Sequence, residues 1–290
     1  KVEKIFEFKD ATIDQKKISL CNSGIMLLKS EVLRKLITKI KSKNKKKEYY
    51  LTDIVDLANK DNFKVDYVKS NFLKTLGVNT KQELAIAEEH YQNVLREKFI
   101  LAGVKFLDSR SVFFNYDTKI GKDVIIEPNV FLGPNVIIKN NVHIKAFSHI
   151  EGVKILDNAV IGPFARLRPG TVIGPNSHIG NFVEIKKTNI KKNSKVNHLS
   201  YLGDSNIGEN VNIGAGVITC NYDGSKKNKT KIEDNVFVGS NASLVAPIKL
   251  NKNSIVGAGS VITESVKENA LAVERNEQRI FPNYKKNRRK

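Results

Sequence analysis

Residues 119–150 read KIGKDVIIEPNVFLGPNVIIKNNVHIKAFSHI. In this stretch Ile120, Ile126, Leu132, Ile138, Ile144 and Ile150 fall at every sixth position. Six is neither the helical period nor the two-residue alternation of a hairpin strand. It is the period of a chain that turns a corner after each short strand and stacks coil on coil. The beat extends to Leu156, then resumes after a five-residue step as Ile161, Leu167, Ile173, Ile179 and Ile185. Further runs are Ile190, Val196, Leu202; Ile207, Ile213; and Ile232, Val238, Leu244, Leu250, Val256, Ile262. Small or β-branched residues stand two positions earlier, among them Val124, Val130, Ala165, Thr171, Ser177, Ala242 and Ser254. They suit the tapering inside of a corner. Gly often follows the aliphatic residue, as at Gly121, Gly174 and Gly257, where unusual backbone angles are expected. With three hexads to a coil, roughly eight coils are expected.

Outward from the repeats the chain divides into zones. Residues 1–80 read as mixed α/β, with short strands at Ile5–Phe8 and Ser19–Cys21 and helices over 30–43 and 50–59. Residues 81–103 are a long linker helix with Leu84, Ala87, Tyr91, Leu95 and Phe99 along one stripe. Residues 104–266 are the repeat domain, and the tail 267–290 loses the beat. Asn221–Lys231, NYDGSKKNKTK, interrupts the repeats. A polar loop inserted in a regular stack is not needed for stability and is a candidate for function.

The 290 residues allow two domains, and no apolar run approaches the roughly 18 residues of a membrane span. No membrane partner is expected. The net charge is +19, but the lysines are scattered among Asn and Ile and form no nucleic-acid-binding signature, so no nucleic-acid partner is expected. A local positive field for a phosphorylated substrate is the better use of that charge. Cys21 and Cys220 lack metal-ligand spacing and read as reduced thiols of a cytoplasmic protein. The chain opens with Lys1-Val2-Glu3-Lys4 and its single methionine is Met26, so a piece of a longer protein is expected.

The repeat exterior offers few reactive groups. His90, His143, His149 and His178 read as exposed polar residues, while His198 lies beside a register slip and near the interrupting loop. No Cys/His cluster or Gly-x-Ser-x-Gly elbow is present. Gly214-Ala215-Gly216 and Gly257-Ala258-Gly259 lack the following helix of a dinucleotide site and read as corners where a thin ligand can approach the main chain. Arg168 and Lys186 are 18 residues apart. One coil of that length would stack them as a phosphate clamp, or as a pair of solvated charges.

Five stretches carry a specific resemblance: GPFARLRPG (162–170), GNFVEIKK (180–187), NHLSYLGD (197–204), NIGAGVITCNYDG (212–224) and FVGSNASLVAP (237–247). They resemble the acetyltransferase domain of the bacterial bifunctional N-acetylglucosamine-1-phosphate uridyltransferase / glucosamine-1-phosphate N-acetyltransferase family. EFKDA (7–11), CNSGI (21–25), EYYLTDI (48–54) and GVNT (77–80) resemble the end of its uridyltransferase domain. The resemblance covers nearly the whole chain. It implies a mainly β protein: a left-handed parallel β-helix of hexapeptide repeats, preceded by the linker helix and the C-terminal part of an α/β nucleotidyltransferase domain. It further implies a cytoplasmic homotrimer with its sites between subunits.

By the same resemblance His198 is the general base, oriented or tuned by Glu184. Arg168 and Lys186 bind the sugar phosphate, and Tyr201 and Asn212 the sugar. Ala215, Asn221, Tyr222, Lys227, Ser240, Ala258 and Arg275 belong to the acetyl-CoA site. Glu7 and Asn22 match sugar-nucleotide contacts, and Asn79 a magnesium contact. The family's Gly-rich nucleotide loop and its magnesium-binding Asp are not in this sequence, so uridylyl transfer from UTP is not expected of it. The reaction implied is acetyl transfer from acetyl-CoA to glucosamine-1-phosphate, for UDP-N-acetylglucosamine and hence cell-wall and lipopolysaccharide precursors. The alternatives are another hexapeptide acyltransferase and a non-catalytic trimeric scaffold.

Overall fold

The computed structural model describes residues 2–42, 44, 46–282 and 284. The chain forms two compact units that meet between His90 and Tyr91.

The second unit is a left-handed parallel β-helix of about nine turns. Two- to four-residue strands stack into three parallel sheets of ten, nine and eight strands. The first face includes His178–Asn181, Lys195–His198 and Asn212–Ile213; the second includes Arg166–Leu167, Glu184–Lys186 and Tyr201–Gly203. The third includes Val153–Ile155, Thr171–Ile173 and Asn189–Ile190. Most strands send an aliphatic side chain inward, and Thr219 takes that place in Ile218–Cys220: Ile126, Leu132, Ile144, Ile161 and Leu167 are all 0% exposed. Each such burial contributes about 1.5–3 kcal/mol relative to an exposed side chain. The small residues two positions earlier are buried as well, down to Ser254 and Ser260.

Two details depart from the sequence reading. First, the step in register comes one strand earlier than expected. Ile155 is fully buried and Leu156 half-buried, so the inward series runs Ile150, Ile155, Ile161. The cause is local: Gly152, at φ +60°, lies against Pro169 and closes that corner one residue sooner. Second, most glycines that follow an inward aliphatic have ordinary φ. At Gly174 the requirement is space, since a Cβ would stand 2.5 Å from the carbonyl carbon of Lys191 in the next coil. The left-handed corner positions belong mainly to Asn and Asp, as at Asn129, Asn135, Asn176 and Asn235, which tolerate that conformation. On one corner Asn193, Asn210, Asn235, Asn253 and Asn269 form a continuous side-chain amide ladder with bonds of 2.9–3.2 Å.

Helix α3, Lys81–Leu101, enters this unit and buries Gln92, Leu95, Arg96 and Phe99. Gln92 extends the sheet edge: its Nε2 donates to the Phe114 carbonyl at 2.7 Å and its Oε1 accepts from Phe114 N at 3.0 Å. Arg96 donates to the carbonyls of Arg110 and Val112. Leu84 and Tyr91, expected on the buried stripe, are exposed; burial starts where the helix reaches the first coil. At the other end the last strand, Leu271–Ala272, pairs with Ile255–Val256.

The first unit holds two shorter helices, α1 (Ser30–Ile37) and α2 (Ile54–Lys60). Leu36, Ile54, Val55 and Ala58 form a small cluster with Ile5, Met26 and Phe63 packed against it. α1 ends where a lysine-rich run begins, whose like charges oppose helix continuation; position 43, included in the expected helix, lies outside the described residues. The strands expected at Ile5–Phe8 and Ser19–Cys21 are not formed. Among the described residues of this unit no segment pairs with them, and an extended segment without a ladder partner is not a strand. No helix among the described residues is long and apolar enough to cross a membrane.

The register step makes a sharp prediction. Ile155→Ala should cost about 2–5 kcal/mol in denaturant unfolding, whereas Leu156→Ala should cost about 1 kcal/mol or less. The reverse order would restore the uninterrupted six-residue register.

Candidate active site

The predicted site residues of the β-helix gather at the two margins of its second face. Asn181 and His198 stand in neighbouring coils at the corner between the first and second faces, in direct register. The His198 ring is exposed, and its Nδ1 lies 2.7 Å from Asn181 Oδ1. The His198 carbonyl is held twice, by Gly216 N at 3.2 Å and by the buried Ser200 hydroxyl at 2.8 Å. Leu199, next in the chain, sits at φ +51°, a conformation that is costly for a leucine and that recurs near functional sites.

Backbone bonds carry this corner upward. Leu199 N donates to Asn181 O at 3.0 Å, Asn241 N to Ala215 O at 2.7 Å, and Gly259 N to Ser240 O at 2.8 Å. With Gly216 N on His198 O, they stack Asn181, His198, Ala215 and Ser240 in successive coils. The pairing of Val238 with Val256 continues the column to Ala258. Arg275 lies beside Gly259 at its top, its Cδ 4.0 Å from where a Cβ would stand. Between His198 and Arg275 the column, Ala215, Ser240 and Ala258, presents only small side chains, which leaves the main chain accessible along the corner.

The cations occupy the opposite margin. Arg168 and Lys186 lie in adjacent coils, as their spacing predicts. Lys186 is held below the usual lysine range, first by contact with Lys227, then by partial desolvation and by the charges of Lys227 and Arg168; Asp204 acts in the opposite sense. Arg168, Lys186 and Lys227 outnumber the nearby carboxylates Glu184 and Asp204, and the net positive charge favours an anionic ligand. Lys227 comes from the interrupting loop, whose conformation is built by Asp223. The Asp223 carboxylate accepts from Ser225 N at 2.9 Å, Lys226 N at 2.8 Å and Asn228 Nδ2 at 2.8 Å. Tyr222 bridges Lys227 across the loop. Buried Asn221 ties the loop to the coil below by donating to Asp204 Oδ2 at 2.6 Å.

Tyr201 lies on the face between the margins, its hydroxyl near Gly203. Asn212 is half-buried in the coil that carries Ala215. The expected acetyl-CoA residues thus divide: Ala215, Ser240, Ala258 and Arg275 at the His198 corner, and Asn221, Tyr222 and Lys227 at the other.

One expected role is corrected. Glu184 does not orient His198; its Oε1 accepts from Arg168 Nη1 at 2.7 Å. The register explains this: Glu184 pairs with Arg166 and Tyr201, whereas the residue facing His198 is Asn181. Asn181 and Asp204 were not expected from the sequence. Each precedes its partner by 17 residues, because five-residue steps from Ile185 to Ile190 and from Leu202 to Ile207 shorten those coils by one, and that offset is the signal that locates them.

In the first unit Glu7 Oε1 accepts from Thr52 Oγ1 at 2.8 Å, and Asn22 and Asn79 are exposed. The Asn79 N–H and the start of α3 take up the Glu83 carboxylate. Among the described residues no three His, Cys, Asp or Glu side chains come together to hold a metal ion.

Residues 117–152 and 152–187 match the family model described as Bacterial transferase hexapeptide (six repeats), and residues 229–264 that described as Hexapeptide repeat of succinyl-transferase. The chain is 47% identical over 277 residues to the bifunctional protein GlmU of Zymomonas mobilis, covering 96% of this chain and 62% of that protein. The likeness runs over nearly the whole of this chain. It is also 49% identical over 274 residues to the GlmU of Paramagnetospirillum magneticum, with 94% and 61% covered, and 47% identical over 292 residues to that of Thermosipho melanesiensis, with 95% and 64% covered. The chain spans about 62% of the length of the GlmU proteins it matches.

The loop gives a pH prediction. Its three hydrogen bonds hold the Asp223 carboxyl below the usual carboxylate range, so the order they provide is present above that range and is lost as pH falls through the depressed value. Amide exchange at Ser225 and Lys226 should stay protected at about pH 5 and lose protection only below about pH 4. Asp223→Ala should abolish that protection at neutral pH while leaving the melting of the β-helix unchanged; protection that survives the substitution would remove Asp223 as the organiser.

Proposed function

We propose that this chain transfers the acetyl group of acetyl-CoA to the amine of glucosamine-1-phosphate, as a homotrimer in the cytoplasm. The observation that carries the reading is the division of one face: an exposed imidazole beneath a column of small residues at one margin, and Arg168, Lys186 and Lys227 at the other. A phosphorylated amino sugar has the matching polarity. Its phosphate is directed to the cations and its amine to His198, with Tyr201 between. The thioester approaches along the column. The amine nitrogen attacks the acetyl carbonyl carbon as His198 Nε2 removes its proton. The C–N bond forms, the C–S bond breaks, and the proton passes to the departing thiolate.

The two groups of acetyl-CoA residues support the trimer. They stand at different corners of one chain, and a neighbouring copy would bring one chain's His198 corner against another's loop corner. Both cysteines are free, in keeping with a reducing compartment, and acetyl-CoA is a cytoplasmic cosubstrate. The likeness to GlmU proteins supports a place in UDP-N-acetylglucosamine supply for cell-wall and lipopolysaccharide precursors. Uridylyl transfer from UTP, with its magnesium, is the second activity such a parent would carry.

The test is thiol release from acetyl-CoA with glucosamine-1-phosphate. His198→Ala should lower the rate by roughly 10²- to 10⁴-fold with the trimer retained. Arg168→Ala and Lys186→Ala should each raise KM for the sugar phosphate by about tenfold or more. A wild-type trimer that releases no thiol would favour a scaffold instead.

A further inference from the structure

Building on that reading, we propose that Asn181 is the positioning residue that sets the tautomer of His198. A histidine can act as a base only through a nitrogen that bears a lone pair, and the hydrogen bond at one ring nitrogen decides which one that is. The Asn181 Oδ1 is an acceptor only. At 2.7 Å from Nδ1 it requires the proton on Nδ1 and leaves the Nε2 lone pair for the substrate. An exposed imidazole without this contact would exchange tautomers and swing about its side-chain bonds.

The surroundings make the assignment specific. The His198 main chain is already fixed from the far side by Gly216 N and the Ser200 hydroxyl, so the ring torsions are the remaining freedom. Asn181 is itself anchored, because its carbonyl accepts Leu199 N at 3.0 Å. The carboxylate nearest by sequence expectation, Glu184, is engaged by Arg168. The orienting group is thus neutral. A carboxylate at this position would stabilise the imidazolium and make it a poorer base near neutral pH. The other titratable groups about this corner are His178, one coil away, and Lys145 and Lys195 beside it; none of these is a carboxylate.

Three readouts test the assignment. In ¹⁵N-histidine NMR near pH 8, His198 of the wild type should be the Nδ1–H tautomer, and Asn181→Ala should shift it toward Nε2–H. Asn181→Ala should lower kcat by roughly ten- to a thousandfold with KM for both substrates within about twofold. Asn181→Asp, which keeps an acceptor, should restore most of kcat at high pH and move the acid limb of the rate profile upward by about one pH unit. Circular dichroism and the oligomeric state of both variants separate a positioning effect from misfolding. A wild-type Nε2–H tautomer, or a variant with unchanged tautomer and kcat, would overturn the assignment. Failure of acetyl transfer in the wild type would instead sink the function proposed above, while the NMR tautomer still decides the role of Asn181.

Discussion

Everything at the candidate site depends on the stacking of inward aliphatic side chains, which locks each coil onto the next with a fixed backbone ladder. Once that ladder is set, residues one coil apart become neighbours. The coil length is 20 residues at the first rung, 18 in the turns that follow, and 17 where a five-residue step falls within the coil. A 17-residue offset joins Asn181 to His198 and Asp204 to Asn221. The 18-residue offset joins Arg168 to Lys186. Chemistry on such a scaffold is written in sequence separations, and a one-residue step decides which side chains face one another.

The same regularity limits what the prism can hold. Outward positions in mid-strand are fixed in direction and evenly spaced, so special geometry has to come from corners and insertions. His198 and Leu199 occupy a corner. The loop from Asn221 lengthens one coil to 25 residues, as the pairing of Asn212 with Phe237 records, and it brings Lys227 back to Lys186. Asp223 organises the loop from within, and Asn221 fastens it through Asp204. The loop is therefore a structured arm, and the cation cluster it completes carries an electrostatic demand for an anion.

Much of this was legible in the sequence, and the exceptions have physical causes. The six-residue beat located most inward side chains from Ile126 to Ile262, Thr219 excepted because it is not aliphatic, and the buried small residues at the corners. It misread Leu156 for Ile155, because aliphatic residues stand at both positions and only the Gly152 corner distinguishes them. It assigned a left-handed role to glycines that serve mainly to let neighbouring coils approach, a distinction invisible without the adjacent coil. The rungs before Ile120 and at Leu271–Ala272 carry no hexad and escaped it, hence nine turns where eight were expected. The motifs single out His198, Arg168 and Lys186 as candidates. Motif proximity suggests Glu184 for His198, but strand register gives Glu184 to Arg168 and brings Asn181 to the imidazole. In the first unit, apolar alternation at Ile5–Phe8 suggested a strand, but alternation cannot supply a pairing partner.

The central claim is that one face reads an amine at one margin and a phosphate at the other. Its most direct test is to compare kcat/KM for thiol release from acetyl-CoA with glucosamine-1-phosphate and with glucosamine, which keeps the amine and lacks the anion. Loss of charge-assisted hydrogen bonds to the phosphate should lower kcat/KM by about a hundredfold or more for the unphosphorylated sugar. Equal values for the two sugars would mean that Arg168, Lys186 and Lys227 do not read the substrate, and would contradict the account.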